Sequence, residues 1–93
     1  MTWPEDEYLR NLREARGDYA WLMRRYGGRT WQEADAEARE AYPYESSDRP
    51  FRGIEFHDDA WHWAMLAIHG AMYWREHPEL LEPSVEYLRS RGE

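Results

Sequence analysis

The chain contains no cysteine and no lysine, and only 12 of its 93 residues are Leu, Ile, Val or Phe. The missing cysteine excludes disulfides and Cys-based zinc sites. Scarce aliphatics combined with a net charge of −7 would ordinarily point to a disordered chain. Six Trp, seven Tyr and four Met stand in for them. Each aromatic side chain can bury roughly 150–250 Å², so the composition still predicts a folded, aromatic-rich core. Ninety-three residues leave room for one such core, and the expected organisation is a single helical domain over residues 1–93.

Long apolar runs are equally scarce. The one present is Ala60–Trp74, interrupted only by His62 and His69. As a helix it would be about 22 Å long, short of the ~30 Å hydrocarbon core of a membrane. The acidic start of the chain has no signal-peptide profile. Together these features predict a soluble, cytoplasmic protein with no membrane partner. An all-round apolar helix has to be enclosed, so this segment is expected to lie at the centre of a bundle.

Around it the periodicity predicts an all-α fold of three to four helices. Tyr8, Leu12, Ala15, Tyr19, Leu22 and Tyr26 fall at steps of four and three, giving one long amphipathic helix that ends at Gly27–Gly28. A capping box at Thr2–Glu5 would start it, and Gly17 would mark a close crossing or a kink. Thr30-Trp-Gln-Glu33 repeats the capping pattern and opens a second helix, stopped by Pro43, with Ala34, Ala38 and Ala41 on its packing face. Residues 43–57 lack a helical period and read as a long irregular loop, with a short extended piece at Arg52–Phe56. Asp58 or Asp59 would cap the central helix, expected over about 59–76. A last short helix follows Pro83, with Leu81, Val85 and Leu88 facing inward.

The histidines do not make a metal site by spacing. His62 and His69 are seven apart, about 10.5 Å along a helix, too far to share one ion. They read as polar relief on a buried rod, on a line with Asp58 and Glu76. No phosphate loop, nucleophile elbow or EF-hand loop is present. We therefore expect no catalytic residues, no metal and no cofactor.

Charge is the remaining signal. Residues 1–29 carry +1, residues 30–59 carry −6 and residues 60–93 carry −2. Such a chain lacks the basic face that phosphate binding needs, so no direct nucleic-acid partner is expected. The acidic third instead suits a protein partner with a basic surface. The expected contact residues are Glu33, Asp35, Glu37, Glu40, Glu45, Asp48, Glu55, Asp58 and Asp59. Tyr44 and Phe51 would be aromatic anchors beside them, with Tyr42 also exposed in the loop, and Trp3, Trp21 and Trp31 would pack on arginine-bearing faces or mark a dimer surface.

In size, charge and character the chain resembles small phage or mobile-element inhibitors, such as anti-CRISPR proteins and DNA mimics. That resemblance implies occupation of a basic surface on a nucleic-acid-handling protein. A second reading is a homodimeric structural or accessory protein. A third rests on Arg52–His57, whose spacing is similar to the R-x(4–6)-H pattern of HEPN-family ribonucleases. It would be a small hydrolase or ribonuclease using His57, His62 or His69.

Overall fold

Three acids in the first turn and two arginines in the last match the dipole of helix α1 (Glu5–Gly27). The computed structural model describes residues 3–92, so the expected Thr2 cap lies outside the described residues. Pro4 occupies the cap position without a side-chain bond. The helix closes at Gly28, whose left-handed backbone returns hydrogen bonds to Met23. Its expected stripe faces inward, with Tyr8, Leu12, Tyr19 and Leu22 buried and Ala20 and Met23 added to them. Gly17 lies in open space within the helix, so it serves neither a close crossing nor a break.

Helix α2 (Trp31–Ala41) carries the full capping box expected at Thr30 and Glu33. Ala34 and Ala38 are fully buried, and these small side chains let α2 lie close against α1. Arg16 donates from Nε to the Tyr42 carbonyl at 2.8 Å, tying the end of α2 back to α1.

The segment after Pro43 is irregular until a 3₁₀ turn at Ile54–His57. That turn replaces the extended piece expected at Arg52–Phe56. Gly53 sits at φ 80°, a left-handed conformation that bends the chain out of any strand path. A side chain there would also meet the Trp3 indole nitrogen at 2.8 Å.

Asp59 caps helix α3 (Ala60–His69), accepting from the Trp61 N–H. The expectation of one rod to Glu76 is corrected here. Gly70, at φ 99°, ends α3, and the chain re-enters a single turn, α4 (Tyr73–Glu76). Within the apolar run, Gly70 acts as a stop signal rather than as another apolar position. Burial on α3 is also one-sided: Ala60, Trp61, Ala64 and Met65 are enclosed, whereas Ala67 and His69 are exposed. A 3₁₀ turn at Pro78–Leu81 leads to α5 (Val85–Ser90), capped by Ser84. Its inward residue is Tyr87, while Leu81 and Val85 face solvent and Leu88 is half-buried.

The described residues thus form an all-α fold with no strand. Its core is shared between α1, α2 and α3 rather than supplied by α3 alone. Two aromatic groups hold it. Tyr8, Tyr19 and Tyr42 meet around Phe56 at one end. Trp21, Tyr26, Trp61 and Tyr87 form the other, with ring centroids 5.6–6.2 Å apart. Helix α1 contributes to both groups, so it couples the two ends. Among the described residues no helix is long and apolar enough to cross a membrane.

Candidate functional site

The strongest local feature is a buried arginine in the irregular segment. Arg52 is only 3% exposed. Its guanidinium pairs with Glu5 at 2.7 Å, donates to the Trp3 carbonyl at 2.7 Å, and lies over the Tyr8 ring at 4.1 Å. This draws residues 51–53 onto the start of α1. The Arg52 bond, seconded by one from Tyr44, holds the Glu5 carboxyl below its ordinary range. Tyr8 completes the attachment by accepting from the Glu45 N–H at 2.8 Å.

Fastening Arg52 inward forces its neighbour outward. Phe51 has φ 61° and is 74% exposed. A bulky non-glycine residue in the left-handed region costs roughly 1–2 kcal/mol. The strain accompanies the fastening of Arg52 and leaves an aromatic ring in solvent.

Phe51 stands at the edge of a cleft of about 630 Å³ between α1 and the 51–59 segment. Tyr42, Phe56 and Ala15 contribute aromatic and apolar lining. Glu14 and Asp18 approach from α1, and Asp58 and Asp59 from the start of α3. Burial raises the Asp18 carboxyl above its ordinary value, only partly opposed by Arg91. Burial, then the Asp59 charge, pushes the Tyr42 hydroxyl upward as well.

The expected acidic contacts therefore divide. Asp58, Asp59 and Phe51 meet at the cleft. On α2, Glu33 is spent on its cap, Asp35 pairs with Arg39 and Glu37 with Arg29, leaving Glu40 exposed. Asp48 accepts from the Ser46 hydroxyl. Tyr44 is half exposed but bonded to Glu5. Tyr42, expected in the open, is 1% exposed because its ring fills the space between Tyr19 and Phe56.

Glu45 and Glu55 are a case of their own. Glu45 accepts from the Gly53 N–H, and Glu55 lies beside it. Desolvation first, then Glu45, raises the Glu55 carboxyl. A raised folded-state pKa adds stability below the unfolded value and loses it as pH rises through the folded one. Glu55→Gln is accordingly expected to raise Tm by a few degrees at neutral pH and to change little near pH ~4. Paired thermal melts check this. A fall in Tm at neutral pH contradicts the assignment.

The histidines read from sequence as polar relief on a buried rod meet other rings. His62 bonds the Tyr73 hydroxyl through Nδ1 at 3.0 Å, and the His69 ring lies tilted against that of His77, 4.8 Å between centroids. Because α3 ends at Gly70, the expected line from Asp58 to Glu76 is broken. Trp31 does pack on an arginine, with Arg24 over its ring at 4.0 Å. Trp21 packs on Tyr26 and Tyr87, and Trp3 on Phe56. The Arg52 guanidinium is committed to Glu5 and Trp3, which removes the arginine of the Arg52–His57 pattern from open chemistry. Among the described residues no group of three or more His, Asp or Glu could hold a metal ion.

Sequence reasoning missed Glu14, Asp18 and Arg91. The α1 acids did carry a signal: Asn11, Glu14 and Asp18 follow one another at helical spacing beside the apolar stripe. Arg91 carried none.

Fold and cleft define a small all-α protein with an acid-walled, aromatic-lined cleft. Comparison with protein-family models, with curated proteins and with solved structures finds no match to this chain.

Proposed function

We propose that the chain is a non-enzymatic protein-binding module whose cleft docks a basic segment of a partner protein. The observation that carries this reading is the strained, exposed Phe51 at the edge of a cleft walled by Glu14, Asp18, Asp58 and Asp59. Carboxylates over an apolar lining attract a long cationic side chain and cover its aliphatic stem. Phe51 offers the adjoining residue of the partner an aromatic contact of the kind that dominates interface energetics.

A basic surface that handles nucleic acid is one such partner, which keeps the inhibitor reading within this proposal. Mimicry of strand phosphates by α2 is not part of it, because no α2 carboxylate lines the cleft.

The test is selection of a random peptide library on the full chain at low and high salt. Arginine- or lysine-bearing peptides with an adjacent aliphatic or aromatic residue are expected to dominate. They should shift amide resonances at residues 14, 18 and 51–59, and they should be lost at high salt. Phe51→Gly relieves the strain, so Tm should hold or rise while affinity falls about tenfold. The triple change Glu33/Glu37/Glu40→Gln should leave affinity intact. Enrichment of acidic peptides, or shifts confined to another face, would overturn the reading.

A further inference from the structure

Besides the buried Arg52, a second guanidinium lines this cleft. Arg91, just beyond α5, reaches from the far end of the chain to Asp18 on α1 and Asp59 at the cap of α3. It also lies 5.5 Å from the centre of the Tyr87 ring. The arrangement unites three segments: Asp59 accepts from the Trp61 N–H and the Tyr87 hydroxyl through Oδ1 and pairs with Arg91 through Oδ2.

We propose that Arg91 is an internal competitor for the docking cleft, and that a partner's arginine guanidinium binds by displacing it from Asp18 and Asp59. This rests on the docking reading above and adds its ligand chemistry and its regulation. Three observations carry it. The group already seated is a guanidinium, whose planar fork suits two carboxylates better than the point charge of lysine does. Its hold is displaceable although its contact with Asp59 is close, at 2.5 Å: the Arg91 side chain is 33% exposed and that of Asp59 37%, and the second contact, with Asp18, is 3.6 Å, longer than a hydrogen bond. Partly solvated ion pairs of this kind typically contribute up to about 1 kcal/mol. Finally, the cleft is larger than its tenant. Its volume of about 630 Å³ extends past Asp18 to Glu14 and Trp3, leaving room for a peptide segment.

The mechanism is exchange of like for like. An incoming guanidinium takes the Asp18 and Asp59 oxygens, and Arg91 swings into solvent. Asp59 keeps its bonds to Trp61 and Tyr87, so α3 and α5 stay capped and packed while the exchange occurs. A neutral or acidic segment cannot displace Arg91 without leaving both carboxylates unpaired. The internal arginine therefore raises the threshold against non-cognate partners.

The experiment titrates the full chain with a short peptide carrying one arginine flanked by leucine, and with its lysine counterpart. Wild type, Arg91→Gln and Asp18→Asn are compared by calorimetry and by NMR. Arg91→Gln is expected to bind the arginine peptide about fivefold more tightly than wild type, the factor that removal of a pair near 1 kcal/mol produces. Asp18→Asn should bind it more weakly and lose the preference for arginine over lysine. In wild type the Arg91 side-chain Nε–H resonance should move to the position of a solvated arginine at saturation. This reading does not depend on how any variant folds.

Equal binding of the peptide at the cleft by wild type and Arg91→Gln overturns the competitor role and leaves the docking reading standing. Weaker binding by Arg91→Gln also overturns it, since Arg91 would then be helping to build the site. An Nε–H signal unmoved at saturation has the same meaning. Failure of both proteins to bind at the cleft removes the docking reading, and this proposal with it.

Discussion

Replacement of Trp61 by alanine is expected to cost about 3–5 kcal/mol and to lower the denaturation midpoint sharply. Trp61 is 3% exposed and lies in the aromatic group that joins α1, α3 and α5. Its indole N–H donates to the Leu80 carbonyl at 2.8 Å, fixing the 3₁₀ turn that leads into α5. The substitution therefore removes a large apolar surface and orphans a carbonyl at the same time. A chain of this size has roughly 5–14 kcal/mol of total stability, so the loss takes a large share of it. Denaturant melts followed by tryptophan fluorescence and by far-ultraviolet circular dichroism provide the check. A midpoint within error of wild type would show that the second aromatic group is not the keystone we describe. Trp61→Phe keeps part of the ring contact and should fall between the two.

The second large effect is local. Arg52→Met preserves most of the side-chain length but removes the ion pair with Glu5 and the bond to the Trp3 carbonyl. It also removes the cation above the Tyr8 ring. The expected result is release of residues 44–57 with the helices retained, and a fall in Tm of roughly 10 °C. Hydrogen exchange separates this from global unfolding: amides of 51–56 should lose protection while those of α1 and α2 keep theirs. The Glu5 carboxyl should meanwhile return toward its ordinary value. Its folded-state pKa is depressed, so its contribution is present above the unfolded pKa and lost as pH falls through the folded one. Wild type should therefore lose part of its Tm advantage over Arg52→Met on acidification. An unchanged exchange pattern at 51–56 would show that Arg52 does not hold the segment.

These two substitutions also mark where sequence and structure part. Trp61 could be placed in the core from its position in the apolar run, because burial of a large aromatic depends on composition and local period. Arg52 could not. Nothing adjacent to it announces a buried charge, and the groups that accept it, Glu5 and the Trp3 carbonyl, come from the other end of the chain. The same holds for Phe51, whose exposure was expected but whose left-handed backbone follows from how its neighbour is fastened.

The acidic ridge illustrates a different limit. Glu33, Glu37 and Glu40 share spacing on α2, and spacing is all a periodic reading can use. Whether such carboxylates remain available depends on what stands opposite them. Glu37 meets Arg29 across the turn between α1 and α2, and Glu33 folds back on the cap it was predicted to make. Two of the acids that do line the cleft are Glu14 and Asp18, in the part of the chain whose summed charge is positive. Net charge by segment located the acidity of the sequence rather than that of the cleft.

The sequence by itself determined the all-α class, the extent of α1 and α2, the Thr30 capping box and the aromatic make-up of the core. These follow from interactions spanning four residues or fewer, and from the need to bury aromatics in a chain poor in aliphatics. Tertiary structure alone decided that Tyr42 is enclosed and that Arg52 is buried. It alone decided that the cleft lies between α1 and the 51–59 segment, with Arg91 in its lining. Each of those outcomes joins residues distant along the chain. Which carboxylate meets which guanidinium depends on how the helices pack, and no local period encodes it.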